Sequence, residues 1–262
     1  MIPADILVNA PRLTSGTRVL IAGASGGLGR ETLRVLAQSE VVIGAHYCTH
    51  QQLLLQVAEE NTLPPERFRL FQADLRTATA ARSLVEAFVA WAKGIDAVVQ
   101  LTGGISQPVS WHQLTEEHWY ADLDLNLTAP FFMAQAAMRF MQDTGGKIIL
   151  TSTASAQHGG GATSMAYGVA KAGIECLTKG LAREGARHKI LVNAICPGFI
   201  QTEFHTLRMH RSRSDLQRRA ELVPLRRAGT PMEVAGLIAF LLSPWGDYIT
   251  GECIPISGGD RL

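Results

Sequence analysis

The chain has 262 residues, 47% of them hydrophobic and 18% charged, with a formal net charge of +1, which gives enough apolar material for one sizeable core and no global charge that calls for nucleic acid. No apolar run reaches the ~20 residues of a membrane span, and Met1–Ser15 lacks the basic start and continuous apolar stretch of a signal peptide. Cys48, Cys176, Cys196 and Cys253 lie far apart with no C-x-x-C, and the histidines do not cluster with acids at ligand spacing, so the expectation is four reduced thiols, no metal and a cytoplasmic location.

Met1–Gly16 reads as an N-terminal arm ahead of the first strand. Val19–Ala22 is a short apolar run, Gly23-Ala24-Ser25-Gly26-Gly27-Leu28-Gly29 follows it, and Leu28, Leu33 and Leu36 mark a helical pattern next. Strand, glycine turn and helix in that order can cradle a pyrophosphate. Glycines let the backbone turn tightly and approach the ligand, while the N–H groups and positive dipole end of the new helix meet its charge. The bland alternative is a glycine-rich loop with no ligand.

Further strand candidates are Val41–Ile43, Phe68–Phe71, Ala97–Val99, Lys147–Thr151, Leu191–Ile195 and Glu252–Ile256, with helical patterns between most of them. Val- and Ile-rich strands, apolar on both faces, suit a parallel sheet covered by helices on both faces. The alternation predicts a single-domain, doubly wound α/β fold over residues 17–262, with no second domain. Leu123 to Met141 is a long, strongly apolar helical stretch, and Ala172, Ile174 and Leu177 continue the helix that begins around Tyr167. Together these helices carry more apolar surface than one face against a sheet uses, which predicts a homodimer or homotetramer; deep core is the alternative.

Tyr167-Gly168-Val169-Ala170-Lys171 carries the chemistry. A tyrosine and a lysine at i and i+4 share one helix face, where an ammonium favours the ionised phenol and draws it toward the operating range of a general acid or base. By itself Y-x-x-x-K is also an ordinary surface pair on an amphipathic helix.

The glycine turn and the Tyr167/Lys171 pair together resemble the short-chain dehydrogenase/reductase family, from about Thr17 to Asp260. Asp74-Leu75 matches the family position that touches the adenine ring, and Asn126 in Asp124-Leu125-Asn126-Leu127 matches the helix asparagine of the catalytic set. Asn193–Thr202, with Pro197-Gly198, matches the segment that lines the nicotinamide, and Ile249-Thr250-Gly251 with Ser257-Gly258-Gly259 matches the closing strand. The resemblance implies a Rossmann fold and an NAD(P)-dependent oxidoreductase that moves hydride between nicotinamide and a ketone or secondary alcohol. It implies a catalytic set of Asn126, Ser152, Tyr167 and Lys171. It also implies cofactor contacts from Gly23, Ser25, Gly27, Leu28, Gly29, His46, Asp74, Leu75, Gly103, Tyr167, Lys171, Pro197, Gly198, Ile200 and Thr202. Ser152 is chosen because it ends the strand Lys147–Thr151; the usual spacing to the tyrosine falls instead on Ala154, and Thr153 and Ser155 are alternatives. Ala22 stands where the family's opening threonine is usual, and Gln100-Leu101-Thr102-Gly103 replaces asparagine-asparagine-alanine-glycine, which leaves the bracing of these loops open.

Cofactor choice leans toward NADP(H). From Val41 through Val57 there is no Asp or Glu to repel a 2′-phosphate, and Ala45–His50 offers neutral donors. NAD(H) stays open, because Gly26 and Cys48 hold the places where an arginine is common in phosphate-accepting relatives. Between Thr202 and Pro231, a substrate lid at about 203–230, Arg208, Arg211, Arg213, Arg218, Arg219, Arg226 and Arg227 crowd together with His205, Leu207, Met209 and Leu222. Such a lid suits an anionic substrate, a 3-oxoacyl thioester on a carrier protein or on coenzyme A being one candidate; a solvated helix face balanced by Asp215 and Glu221 is the other reading. Outside catalysis, the competing function is a silent, cofactor-binding regulatory or scaffold protein on the same fold.

Overall fold

The computed structural model describes residues 11–260; residues 1–10 of the expected arm, and residues 261 and 262, lie outside the described residues. Leu13 is buried, and its N–H donates to Ser39 Oγ at 3.2 Å. Seven strands follow: β1 (Arg18–Ala22), β2 (Val42–Tyr47), β3 (Phe68–Gln72), β4 (Ala97–Gln100), β5 (Gly146–Thr151), β6 (Ile190–Pro197) and β7 (Cys253–Ile256). They form one sheet in the order β3-β2-β1-β4-β5-β6-β7, with every pairing parallel. Each expected strand is present. β2 runs on past Ile43 because Ala45, His46 and Tyr47 continue the ladder opposite Leu70, Phe71 and Gln72.

Helices α1 (Gly27–Leu36), α2 (Gln51–Glu60) and α8 (Pro231–Leu242) cover one face, where Leu33, Leu54 and Ile238 pack with Val19, Ile21 and Ile43. Helices α3 (Ala78–Ala92), α5 (Ala129–Met141) and α6 (Met165–Gly185) cover the other, where Phe88, Met133 and Ile174 pack with Leu20, Val98 and Ile148. Successive β1 residues therefore serve opposite cores, as the two-residue period of a strand requires. Each such fully buried side chain contributes roughly 1.5–3 kcal/mol.

The strand order reverses between β1 and β4, so the crevice for a ligand lies beyond their carboxyl ends. The long helix expected from Leu123 to Met141 starts earlier and is interrupted. Helix α4 (Glu116–Leu123) passes through a π turn at Asp124–Thr128 before α5 begins. Asn126 sits in that turn, and its Nδ2 donates at 2.8 Å to the Asp122 carbonyl. A side chain competing for an i−4 carbonyl is a physical cause for the break in the ladder.

Candidate active site

Gly23 closes β1 with φ +80°, and a Cβ there would stand 2.8 Å from Thr102 N. A Cβ on Gly29 would stand 2.3 Å from the Gly23 carbonyl oxygen, so only glycine lets α1 start this close to the loop. Gly26 caps α1 without a side-chain acceptor, which leaves the first turn of amides open toward an anion. This uncapped end and the glycine cradle fit a dinucleotide pyrophosphate. Thr202 and the Glu203 carboxylate stand over Gly27, and Glu203 pairs with Arg30 at 2.5 Å while Arg30 also donates to the Ser25 carbonyl at 2.7 Å. Leu28 and Ile200 turn into the core beside α1, whereas Gly198 abuts Ser257, at 2.7 Å from a Cβ placed on it.

His46 does not act as expected. It is 2% exposed, its Nδ1 accepts the Gly23 N–H at 3.0 Å, and its Nε2 lies 3.1 Å from the Ala73 carbonyl. With Nδ1 accepting, Nε2 carries the proton and donates to Ala73, so neither nitrogen is left for a cofactor; burial also lowers its pKa and keeps the ring neutral. His46 is a brace between the glycine turn and the loop after β3. Asp74 is likewise engaged, since Arg76 takes its carboxylate at 2.5 Å and holds it below the usual carboxylate range, and Leu75 is core.

Bracing around the departures of Ala22 and Gln100 is also visible. The Ala22 carbonyl accepts Leu101 N–H at 2.9 Å, Thr151 Oγ1 donates to the Gln100 carbonyl at 2.6 Å, and Gln100 Nε2 donates to the Thr102 carbonyl at 3.1 Å. Gln100 Oε1 is buried without a partner.

Tyr167 and Lys171 lie in the first turns of α6, with Lys171 Nζ 5.6 Å from the centre of the phenol ring. Lys171 is 2% exposed, and its Nζ donates to the Thr151 carbonyl at 2.8 Å. Burial pulls its pKa down to about 7, with Cys196 acting in the opposite direction. Burial pushes the Tyr167 phenol upward, the Asp122 charge adds to the rise, and the Thr153 hydroxyl, as a hydrogen-bond partner, works against it. A Cβ on Gly103 would stand 2.9 Å from Asn126 Oδ1 and 3.3 Å from Lys171 Nζ, so the backbone there runs directly beside both groups. Asn126 is fully buried, its amide taking Gly104 N–H at 3.1 Å and giving to the Gly104 carbonyl at 2.8 Å.

Ser152 is separated from this group. Its Oγ donates toward the Lys171 carbonyl at 2.9 Å and Glu175 Oε1 at 3.0 Å, underneath α6, and the residue is 1% exposed. Ile148 and Leu150 face the core under α5 and α6, and the two-residue period carries Ser152 to that same side. That periodicity is the signal in the sequence that separates the two hydroxyls: the next residue, Thr153, turns to the phenol side.

The lid brings a residue that sequence reading did not single out. Phe204 packs against Tyr167 with ring centres 6.0 Å apart, and His205 packs edge-on against Phe199 at 4.9 Å. Burial, with Arg219 and Arg211 nearby, lowers the His205 pKa to about 4. Much of the expected positive charge is already engaged. Arg218 pairs with Asp215 at 2.5 Å, Arg219 with Asp260, and Arg227 with Glu233 at 2.6 Å, while Arg226 donates to the Glu221 carbonyl at 2.7 Å. The segment is thus closer to a balanced helix face than to an open anion trap.

A family model described as Enoyl-(Acyl carrier protein) reductase matches residues 23–260. A probable 2,4-dienoyl-CoA reductase of Bacillus subtilis (strain 168) is 33% identical over 250 residues, covering 93% of this chain and 96% of the relative. The (3R)-3-hydroxyacyl-CoA dehydrogenase of Mus musculus is 34% identical over 249 residues, covering 92% and 94%. Among solved structures, a blue fluorescent protein from a metagenomic library in complex with NADPH is 27% identical, with a TM-score of 0.85, covering 95% of this chain and 99% of that one.

Proposed function

Because the chain belongs to the short-chain dehydrogenase/reductase family and is an NAD(P)-dependent oxidoreductase, we propose that Tyr167, Lys171, Thr153 and Asn126 form its reaction centre and that it reduces a ketone, with a 3-oxoacyl thioester as the substrate class. The observation that carries this reading is the buried Lys171 Nζ 5.6 Å from the centre of the Tyr167 ring on the same helix, with Asn126 beside Lys171 across Gly103; the Thr153 hydroxyl, which works against the rise of the phenol's pKa, supports it. The names of two relatives support a coenzyme A thioester, and that of the (3R)-3-hydroxyacyl-CoA dehydrogenase also supports an oxygen at carbon 3, whereas the dienoyl-CoA reductase is named for a carbon–carbon double bond. A silent scaffold has no need of a phenol matched to a buried ammonium, which weighs against that alternative.

The bound nicotinamide would exchange a hydride with the carbonyl carbon. Charge developing on the oxygen would be met by the Tyr167 proton and by a hydrogen bond from Thr153, whose Oγ1 otherwise lies 3.2 Å from Ser155 Oγ and 3.4 Å from the Pro197 carbonyl. Lys171 stabilises the phenolate left behind. Asn126 holds the Gly103-Gly104 backbone beside Lys171. NADP(H) is the favoured cofactor, supported by the absence of any carboxylate from Val41 through Val57 and by the NADPH complex of the structural relative. The glycine turn, Thr202, Gly103 and the backbone around Pro197 are the residues assigned to hold it.

Reduced-cofactor consumption with NADPH and with NADH, over a panel of ketones that includes 3-oxoacyl thioesters, tests the reaction. Thr153→Val is expected to lower turnover by ~10²-fold, the scale of a lost oxyanion donor, while Ser152→Ala stays within about threefold. The opposite ranking would return the role to Ser152.

Assembly as a homodimer or homotetramer is part of the same reading. Tyr120, Phe140, Met165 and Val169 are exposed apolar side chains on α4, α5 and α6, and a symmetry mate would cover them. Light scattering at micromolar concentration should give a multiple of 28.3 kDa; the mass of one chain would refute it. We also place the protein in the cytoplasm. No helix among the described residues is long and apolar enough to cross a membrane, and the four thiols are unbridged.

A further inference from the structure

Asp122 is a buried acid that neither the cofactor cradle nor the proton transfer uses. It lies in α4, 3% exposed, and its Oδ1 accepts the Ser106 N–H at 2.7 Å. Ser106 Oγ in turn donates to the His118 carbonyl at 3.2 Å, so the loop after β4 is tied to α4 at two points. One helical turn further, Asn126 holds both the N–H and the carbonyl of Gly104. Two side chains at i and i+4 therefore grip the backbone on either side of Ile105, which is itself buried at 5% exposure. The gripped segment continues directly from Gly103, whose backbone borders Lys171 Nζ.

We propose that Asp122 is a positioning residue for the reaction centre: with Asn126 it clamps the Gly104–Ser106 backbone against α4, and its carboxylate sets the electrostatic setting of the Tyr167 phenol. The role rests on the reading of Tyr167 as the proton donor, but the clamp and the field are properties of the chain itself. Among the described residues, the charged groups that act on the phenol are Lys171, 5.6 Å from its ring on the same helix, and Asp122 on α4, the helix that packs against α6. Thr153 adds a neutral hydroxyl, and Phe204 an apolar ring from the lid. Asp122 itself is faced by Ser106 and His118, both of which favour its charge, while burial opposes it and carries its pKa above the usual carboxylate value. A negative charge held near the phenol keeps the proton on Tyr167, opposing the pull of Lys171. The balance favours a proton donor over a base.

Two variants separate the clamp from the charge. Asp122→Asn keeps an Oδ1 acceptor for Ser106 and removes the charge, whereas Asp122→Ala removes both. Ultraviolet difference spectra of ionised tyrosine, with Tyr167→Phe as the blank, report the phenol without any substrate. At one fixed alkaline pH at which both proteins remain folded, Asp122→Asn is expected to show a severalfold larger Tyr167 phenolate signal than the unsubstituted protein; an equal signal would overturn the electrostatic role. Hydrogen exchange reports the clamp. Amide exchange at Ser106 is expected to speed up on the order of tenfold in Asp122→Ala and to change little in Asp122→Asn; unchanged exchange in Asp122→Ala would overturn the clamp. Should Asp122→Ala not fold, the unsubstituted protein supplies the reading. Its Ser106 amide should exchange on the order of tenfold more slowly than its intrinsic rate; exchange at the intrinsic rate would overturn the clamp. Neither readout needs turnover, so a failed ketone screen and a failed clamp remain distinct results.

Discussion

Replacing Tyr167 with phenylalanine is expected to cut turnover by ~10²–10⁴-fold, the usual contribution of a positioned general acid, and to leave cofactor affinity almost unchanged. The substitution removes a proton and no packing, since the ring that meets Phe204 at 6.0 Å stays in place. The phenol titrates above its ordinary range, mainly because it is buried and then because of Asp122, so it holds its proton across the working pH and suits donation to a reduced carbonyl. Steady-state rates with a ketone, beside a cofactor-binding titration, check both halves. Retention of half the wild-type rate would remove Tyr167 from the role, and a parallel loss of cofactor affinity would mean that its hydroxyl helps hold the dinucleotide.

Much of the fold was legible because its signals are local and repeated. Runs such as Val19–Ala22 and Lys147–Thr151 are too short and too β-branched for helices, and helical patterns separate most of them, which leaves few topologies besides a parallel sheet. The seven strands form one sheet with every pairing parallel, as this pattern implies. Where the reading fell short, a polar residue was doing a structural task. His46 looks like a loop donor in the sequence, yet it extends β2 and joins two loops through both ring nitrogens. Such a role depends on Gly23 and Ala73 arriving from elsewhere in the chain, and no local pattern encodes that.

The neighbouring hydroxyls Ser152 and Thr153 differ for another reason. Counting from Tyr167 falls between candidates, because the Gly159-Gly160-Gly161 connection absorbs residues without altering the helix start; Gly159 and Gly160 both take positive φ. Strand parity decides better than spacing, since Ile148 and Leu150 fix which side Ser152 must face. The arginines of the lid were readable only as a composition. Their partners Asp260 and Glu233 lie outside the α7 segment (Arg213–Leu222), and charge neutralised at a distance cannot be seen by inspecting 203–230 alone.

Lys171→Met is expected to reduce both rate and cofactor affinity, with the remaining activity displaced to higher pH, because the phenolate loses its nearest cation. It should also change stability in a way that identifies the buried ammonium. Lys171 has its folded pKa pulled from 10.5 to about 7 by burial. Between those values the unfolded chain binds more protons than the native one, so native stability rises with pH through that window, and below about 7 the full cost of the buried charge is present. The variant has no such group and should lack the rise. Its orphaned Thr151 carbonyl, which accepts from Lys171 Nζ at 2.8 Å, costs about 1–3 kcal/mol, but that cost is the same at every pH and leaves the slope untouched. Urea unfolding near neutrality and at the alkaline end of the window, on both proteins, gives the comparison. Equal slopes would mean that Lys171 is not depressed in the native state.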